Sequence, residues 1–309
     1  MLPAIVPAQT IAEGEVFLQK GKFKEARAMF EEILKKDGNN AEAHHDLGML
    51  YLNRRNPEND VEKAVDESEK ALELEPNNAE IQYGYGAAIG MKAQSAGIIK
   101  QAFLAPKIKK AFLRAVELNP NHIQARLGLA QYFMMAPSIM GGDEDEGWKQ
   151  VDEVVKLDEF LGRTAKAGFL LRVKKNDEAE NEFKALAVSM SKDWRVWHRY
   201  GYFCMRLERY DNAIEHFKKY VELRSDTADS YQSLAEALLK KGSVDLAMVN
   251  LNKSLSLDKE YVPAIISMGE VYQAKGQKKE ARETYQRAMG MTQNEYYKKQ
   301  AENKLKEVE

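Results

Sequence analysis

The chain has 309 residues, 44% of them hydrophobic and 30% charged, with a net charge of −2. That balance excludes a disordered chain, and nothing in it favours nucleic acid or an anionic membrane as a partner. The one cysteine, Cys204, excludes an internal disulfide, and no apolar run reaches the roughly 18 residues of a transmembrane segment.

The chain opens on the apolar "MLPAIVPAQT", in which Val6-Pro7-Ala8 looks like an export cleavage site without the basic start or the length of a full signal. Residues 1–6 are therefore set apart as a lead-in, either a signal-peptide remnant or a plain proline-containing end. The first alternative implies a bacterial periplasm or envelope, the second the cytoplasm.

From there a 34-residue period takes over. Ala179, Ala213, Ala247 and Ala281 keep that step, as do Phe183, Phe217, Leu251 and Tyr285, and Gly201, Ala235 and Gly269. Gly14 and Gly48 stand the same distance apart, and "GKFKEARAMFEEILKKDGNN" (21–40) parallels "ERYDNAIEHFKKYVELRSDT" (208–227). "ALELEPNNAE" (71–80) and "AVELNPNHIQ" (115–124) read as repeat ends, each with a proline that stops a helix. Every unit reads as two helices joined by a turn such as Lys240-Lys241-Gly242. The first carries a small residue in its middle; the second carries the fixed alanine with a large residue four on, so that a bulky side chain fills the space the small one leaves. A single hairpin cannot bury its apolar face, so neighbouring hairpins must stack.

This pattern resembles the tetratricopeptide repeat family over almost the whole chain. The resemblance implies an all-α, right-handed superhelical solenoid of about eight helix-turn-helix repeats. Their bounds are 7–40, 41–78, 79–122, 123–161, 162–193, 194–227, 228–261 and 262–295. Irregular repeats one to four (7–161) carry insertions near "NPEND", "SAGIIKQAFLAP" and "APSIM"; repeats five to eight (162–295) are regular, and 296–309 is a polar capping helix. The run 99–147 is similar to a largely uncharacterised bacterial subgroup with a long loop, a lysine-rich helix and an "AP…GGD" turn.

That turn, "APSIMGGDEDEGWKQ" (136–150), has three chemical readings. A phosphate loop fails because four acids follow and no strand precedes. A calcium loop fails because Gly147 and Val154 fall where the glycine and the closing acid should be placed otherwise. The expectation is a structural joint: Asp143 caps the second helix, Glu144 to Glu146 complement its dipole, Gly141 and Gly142 supply positive φ, and Met140 and Trp148 pack the turn onto the insertion of repeat three.

Catalytic chemistry is not visible. The histidines His44, His45, His122, His198 and His216 form no metal pair, Cys204 falls mid-helix as a buried small hydrophobe, and no Gly-x-Ser-x-Gly elbow exists. No enzyme activity, cofactor or metal is expected. Lys100, Lys107, Lys109, Lys110 and Arg114, interleaved with Phe103, Ile108 and Phe112, read as an amphipathic second helix, with Ser95 to Pro106 exposed and sticky.

In the family the resemblance points to, positions two, five, nine and twelve of each first helix line a concave groove. This nominates His45, Met49, Tyr83, Gln124, Leu127, Gln131, Met134, Arg195, His198, Tyr202, Met205, Gln232, Glu236, Glu270 and Gln273. The stretch "DWRVWHRYGYFCMRLERY" (193–210) adds Arg199, and places Trp197 in the core and Arg195, His198, Arg199 and Tyr202 in reach of a partner. The lysine-asparagine clamp with which some members hold a carboxylate terminus is missing: Ile11, Glu15, His45, Met49 and Tyr83 stand in its place. The expected function is a non-enzymatic scaffold that binds a protein or peptide in the groove. The alternatives are a small-molecule or lipid-binding envelope component, and a self-assembling protein that pairs through the insertions of repeats three and four.

Overall fold

The computed structural model describes residues 8–292 and 294–308; the lead-in at residues 1–6 lies outside them. Among the described residues there are seventeen α-helices, one short 3-10 turn and no strand. They run as eight consecutive pairs: α1 (Ala8–Gln19) with α2 (Phe23–Lys36), α3 (Ala41–Leu52) with α4 (Val61–Leu74), α5 (Ala79–Gln94) with α6 (Ile98–Leu118), and α7 (Ile123–Met135) with α8 (Glu144–Leu157). Then follow α9 (Glu159–Arg172) with α10 (Asn176–Ser189), α11 (Trp194–Arg206) with α12 (Tyr210–Leu223), α13 (Ala228–Lys240) with α14 (Val244–Leu257), and α15 (Val262–Ala274) with α16 (Lys278–Met291). A last helix, α17 (Glu295–Lys306), follows. Two compact units divide at Ala165 and Lys166, inside α9.

A small-large pairing closes several of the hairpins, while in the second Gly48 faces Ser68. A Cβ on Gly201 of α11 would lie 2.4 Å from the Phe217 ring of α12, and one on Gly269 2.3 Å from the Tyr285 ring. Gly14 stands in the same relation to Phe30 at 2.4 Å. In the seventh hairpin the small residue is Ala235 and the residue at the ring's place is Leu251, both fully buried. One extra methyl on one helix is matched by a smaller side chain on the other, which keeps packing dense. The fixed alanines Ala26, Ala64, Ala179, Ala213, Ala247 and Ala281 are all without solvent exposure.

The connections show their own chemistry. Asn40, Asp60, Asn78, His122, Asp143, Asp193 and Asn294 cap helices by accepting from backbone N–H groups one turn in. The turn inside a hairpin needs a left-handed residue: Gly21, Gly242 and Gly276 supply it at φ 72°, 84° and 75°, while Lys174 and Glu208 adopt φ 60° and 55° at the same register. The turn between hairpins is tied by a side chain that reaches back six residues to a carbonyl. His44 Nε2 meets Gly38 O at 3.1 Å, Gln82 donates to Pro76 at 2.7 Å, Arg126 to Pro120 at 2.8 Å and Trp197 to Ser191 at 2.8 Å.

That tie corrects the placement of Trp197. Its indole N–H must reach the turn, so the ring is half-exposed beside His216, and Val196, Tyr200 and Phe203 fill the core instead. The insertion of repeat three is a correction as well. It is no loop: α6 runs unbroken through Pro106, with Ile98, Ile99 and Phe103 exposed near its start. In the glycine turn, Asp143 caps α8 by accepting from Glu146, and Gly141 takes φ 88°. Gly142 serves a different need. A Cβ there would meet the Ala136 carbonyl at 1.8 Å, so the glycine permits close backbone approach rather than positive φ. Tyr132 donates to the Met140 carbonyl, and Lys109 of α6 lies over the Phe133 ring at 4.9 Å, which fastens the turn to the extended helix.

Candidate functional site

Within each unit the first helices of successive hairpins pack side by side, so residues at one register line up across them. Counting from the cap, the fifth residue is His45, Tyr83 and Leu127 in the first unit and His198, Gln232 and Ile266 in the second; the ninth is Met49, Ala87 and Gln131, then Tyr202, Glu236 and Glu270.

In the first unit these positions place His45 and Met49 of α3 against α5, the helix that carries Tyr83. Gly84 makes room for the pair on α3: a Cβ there would be 2.6 Å from His45 Cε1 and 3.7 Å from Met49 sulfur. The Tyr83 ring lies 5.1 Å from His122, the cap of α7, whose Nε2 is 3.4 Å from Glu80 Oε1. Asp46 joins them, buried at 8% exposure, with Oδ2 lacking any hydrogen-bond partner. Burial pushes its carboxyl up to about 7, and Glu15, Glu42 and Glu80 add to the rise. Burial holds His45 below the ordinary imidazole range against the pull of Glu80, and raises the Tyr83 phenol.

In the second unit the face is a connected polar network. Arg195 turns its guanidinium onto Asp193, the cap of its own helix, at 2.5–3.0 Å. His198 stands edge-on to Tyr202 and Tyr220, 5.0 and 5.1 Å away, with Nε2 3.6 Å from Asp229. Asp229 accepts from Tyr220 at 2.7 Å and Tyr261 at 2.8 Å. The Tyr202 hydroxyl is 3.2 Å from Ser233 Oγ and donates to Glu236 at 3.3 Å, while Gln232 reaches Glu236 and Ser267, both at 3.4 Å. Glu270 pairs with Lys304 of α17 at 3.1 Å, and Tyr285 donates to Gln273 at 2.9 Å. Burial, ahead of the nearby carboxylates, drives the Tyr202, Tyr220 and Tyr261 phenols well above their ordinary range and raises Glu236; it lowers His198 against Asp229.

The nominated residues thus divide. His45, Met49 and Tyr83 belong to the face of the first unit, and His198 and Tyr202 to that of the second. Arg199 is exposed and Met205 and Gln131 are half-buried. Tyr202 is held in the network rather than presented freely, because its hydroxyl finds Ser233 and Glu236. Met134 faces inward: its Cγ is 2.6 Å from where a Cβ on Gly147 of α8 would stand, so it packs the hairpin. Asp46, Glu42, Glu80, His122 and Asp229 were not nominated. Position two of the register already falls on Glu42, Glu80 and Asp229, and the sixth position past the cap would have found Asp46.

Cys204 is buried, its thiol pushed up to about 12 by desolvation, and is no nucleophile at neutral pH. Among the described residues no group of three or more His, Cys, Asp or Glu is placed to hold a metal ion, and no helix is long and apolar enough to cross a membrane.

Stacked hairpins of this register, with small-large pairs inside and polar-aromatic first helices, define a helical repeat protein of the interaction-scaffold kind. The tetratricopeptide repeat family matches residues 195–227, 228–261 and 262–295, so this part of the chain is built of tetratricopeptide repeats. Residues 10–132 match a second family, described as regulator of microtubule dynamics protein 1-3. Tetratricopeptide repeat protein 37 of Xenopus laevis is 25% identical over 294 residues, which is 92% of this chain and 18% of that protein. The chain thus spans under a fifth of the length of that relative. Yeast Tom70 superposes with a TM-score of 0.65 at 17% identity, covering 93% of this chain and 58% of that one. The tetratricopeptide repeat protein TTC0263 of Thermus thermophilus gives 0.53 at 18% identity, covering 64% of this chain and 98% of that one. These structural likenesses extend to the fold.

Proposed function

We propose that the chain is a non-catalytic scaffold whose first-helix faces hold a protein or peptide segment. The observation that carries this is His45 and Met49 of α3 seated on Gly84 of α5, with Tyr83 of α5 beside His122, all three half-exposed. A core needs no such polar-aromatic set at its rim, whereas aromatic and methionine side chains with polar neighbours are the usual anchors of peptide recognition. The second unit offers His198, Arg199, Tyr202 and Met205 as a separate surface, stiffened by its hydrogen bonds.

The test is binding to an immobilised library of short peptides by the intact chain and two variants. One carries His45→Ala, Met49→Ala and Tyr83→Ala; the other carries Arg199→Glu, His198→Ala and Tyr202→Ala. Loss of a bound set in either variant, with unchanged helicity, places recognition on that unit. An identical bound set in all three removes both faces from the function.

A second reading rests on the start of α6, where Ile98, Ile99 and Phe103 are 64%, 74% and 74% exposed. Such a surface suits self-association. Sedimentation that returns a monomer for both the parent and Phe103→Glu at high concentration rejects it.

A further inference from the structure

Asp46 is the sixth residue past the cap of α3. The residues at that register in the seventh and eighth hairpins are Ser233 and Ser267, buried hydroxyls that meet Tyr202 and Gln232. In the third hairpin it is Gly84 and in the sixth the exposed Arg199. Packing therefore does not call for a carboxylate here. The carboxylates on the first-helix face of the second unit are all satisfied: Asp229 by two tyrosines, Glu236 by Tyr202 and Gln232, Glu270 by Lys304. Asp46 is not. Oδ2 is buried without a partner, and the charged groups that act on it are Glu15 of α1, Glu42 on its own helix and Glu80 of α5, every one acidic. A buried carboxylate in such company is unfavourable unless a cation compensates it. Among the described residues no group of three or more His, Cys, Asp or Glu is placed to hold a metal ion.

We infer that the first-helix face of hairpins one to three receives a basic segment of a protein partner. A lysine or arginine side chain takes Asp46 as its buried counter-ion; Glu15, Glu42 and Glu80 form the attracting rim, and Met49 and Tyr83 flank the aliphatic stem. This names the partner chemistry of the scaffold reading and rests on it. A buried charge pair of this kind loses on the order of thirtyfold in affinity or more when one partner is neutralised, and rim charges change mainly the rate of association and its salt dependence.

The probe is an array of randomised decapeptides, acetylated and amidated so that only side chains carry charge, read with the intact chain. Bound peptides should be enriched in lysine and arginine. The best of them should bind Asp46→Asn on the order of thirtyfold more weakly and should lose the same amount when its key lysine becomes norleucine. Glu80→Gln, at an exposed position that also meets His122 Nε2, tests the rim and should flatten the salt dependence. A melting temperature for Asp46→Asn at or above that of the parent separates lost binding from lost folding. Bound peptides without basic enrichment, or basic peptides held equally by the parent and Asp46→Asn, overturn the basic-segment inference and leave the scaffold reading standing. An array with no bound peptide overturns both.

Discussion

Gly201→Ala is the sharpest probe of how the hairpins close. An added Cβ would sit 2.4, 2.7 and 2.7 Å from Cε1, Cδ1 and Cζ of Phe217. Ordinary contact starts near 3.4 Å, so the ring must retreat by about 1 Å. It has nowhere to go: Phe217 has no solvent exposure, and the Tyr202 ring meets it edge-on at 5.1 Å. Overpacking of this size costs about 1–3 kcal/mol, and replacing a mid-helix glycine by alanine returns about 1 kcal/mol. The net expectation is a loss of about 0–2 kcal/mol. Phe217→Leu alone leaves a gap and loses about 1–2 kcal/mol. Together the two substitutions recreate the Ala235–Leu251 pair of the next hairpin, so the double variant should be no less stable than Phe217→Leu, a favourable coupling of about 1–2 kcal/mol. Urea titration of the intact chain measures it, followed by tryptophan fluorescence, since Trp194 and Trp197 both lie in this hairpin. Strict additivity refutes the small-large rule.

Other outcomes follow from the same coordinates. Glu208→Gly should raise stability by about 1 kcal/mol, because a side chain at φ 55° stands where Gly242 and Gly276 serve without strain; an unchanged urea midpoint contradicts this. Asp46→Asn should change the pH dependence of stability. The folded carboxyl titrates near 7 and the unfolded one near 3.8, so the contribution from its protonated form is complete below about 3.8 and is lost as pH rises through 7. The variant should therefore gain on the parent between these values and keep a lead on the order of a few kcal/mol above pH 7; parallel profiles at pH 4 and pH 8 exclude the burial argument. Cys204 should resist iodoacetamide in the native chain and react in urea, and alkylation of the native chain at the unfolded rate would contradict its burial.

The parts of this fold that repeat were legible in advance, because a packing rule that recurs every 34 residues leaves one residue type behind at each site. The buried alanines and the glycine-ring pairs are such marks. The ties across the inter-hairpin turns were not legible. They are made by His44, Gln82, Arg126 and Trp197, and by the Ser230 hydroxyl onto Arg224, residue types that share only a polar hydrogen, so no column of like residues records them. Trp197 was misplaced for that reason. Lys174 and Glu208 hide a left-handed turn because surrounding packing overrides local preference. The insertion at 95–106 contains Pro106 and read as irregular, yet α6 absorbs the proline near its exposed start. Asp46 escaped notice because its isolation depends on acids from α1 and α5, which only the packed helices bring to it.

The backward-reaching ties give the array a direction of assembly. The carbonyl that closes one hairpin is engaged by a side chain from the second turn of the following helix. On a growing chain, the tie at these turns cannot form until the following helix has begun to coil. A chain cut just after Ser191 keeps every residue of the fifth hairpin and still loses the donor that fastens its end. Each repeat is finished by the one that comes after it, as each stone in a course is locked by the next one laid.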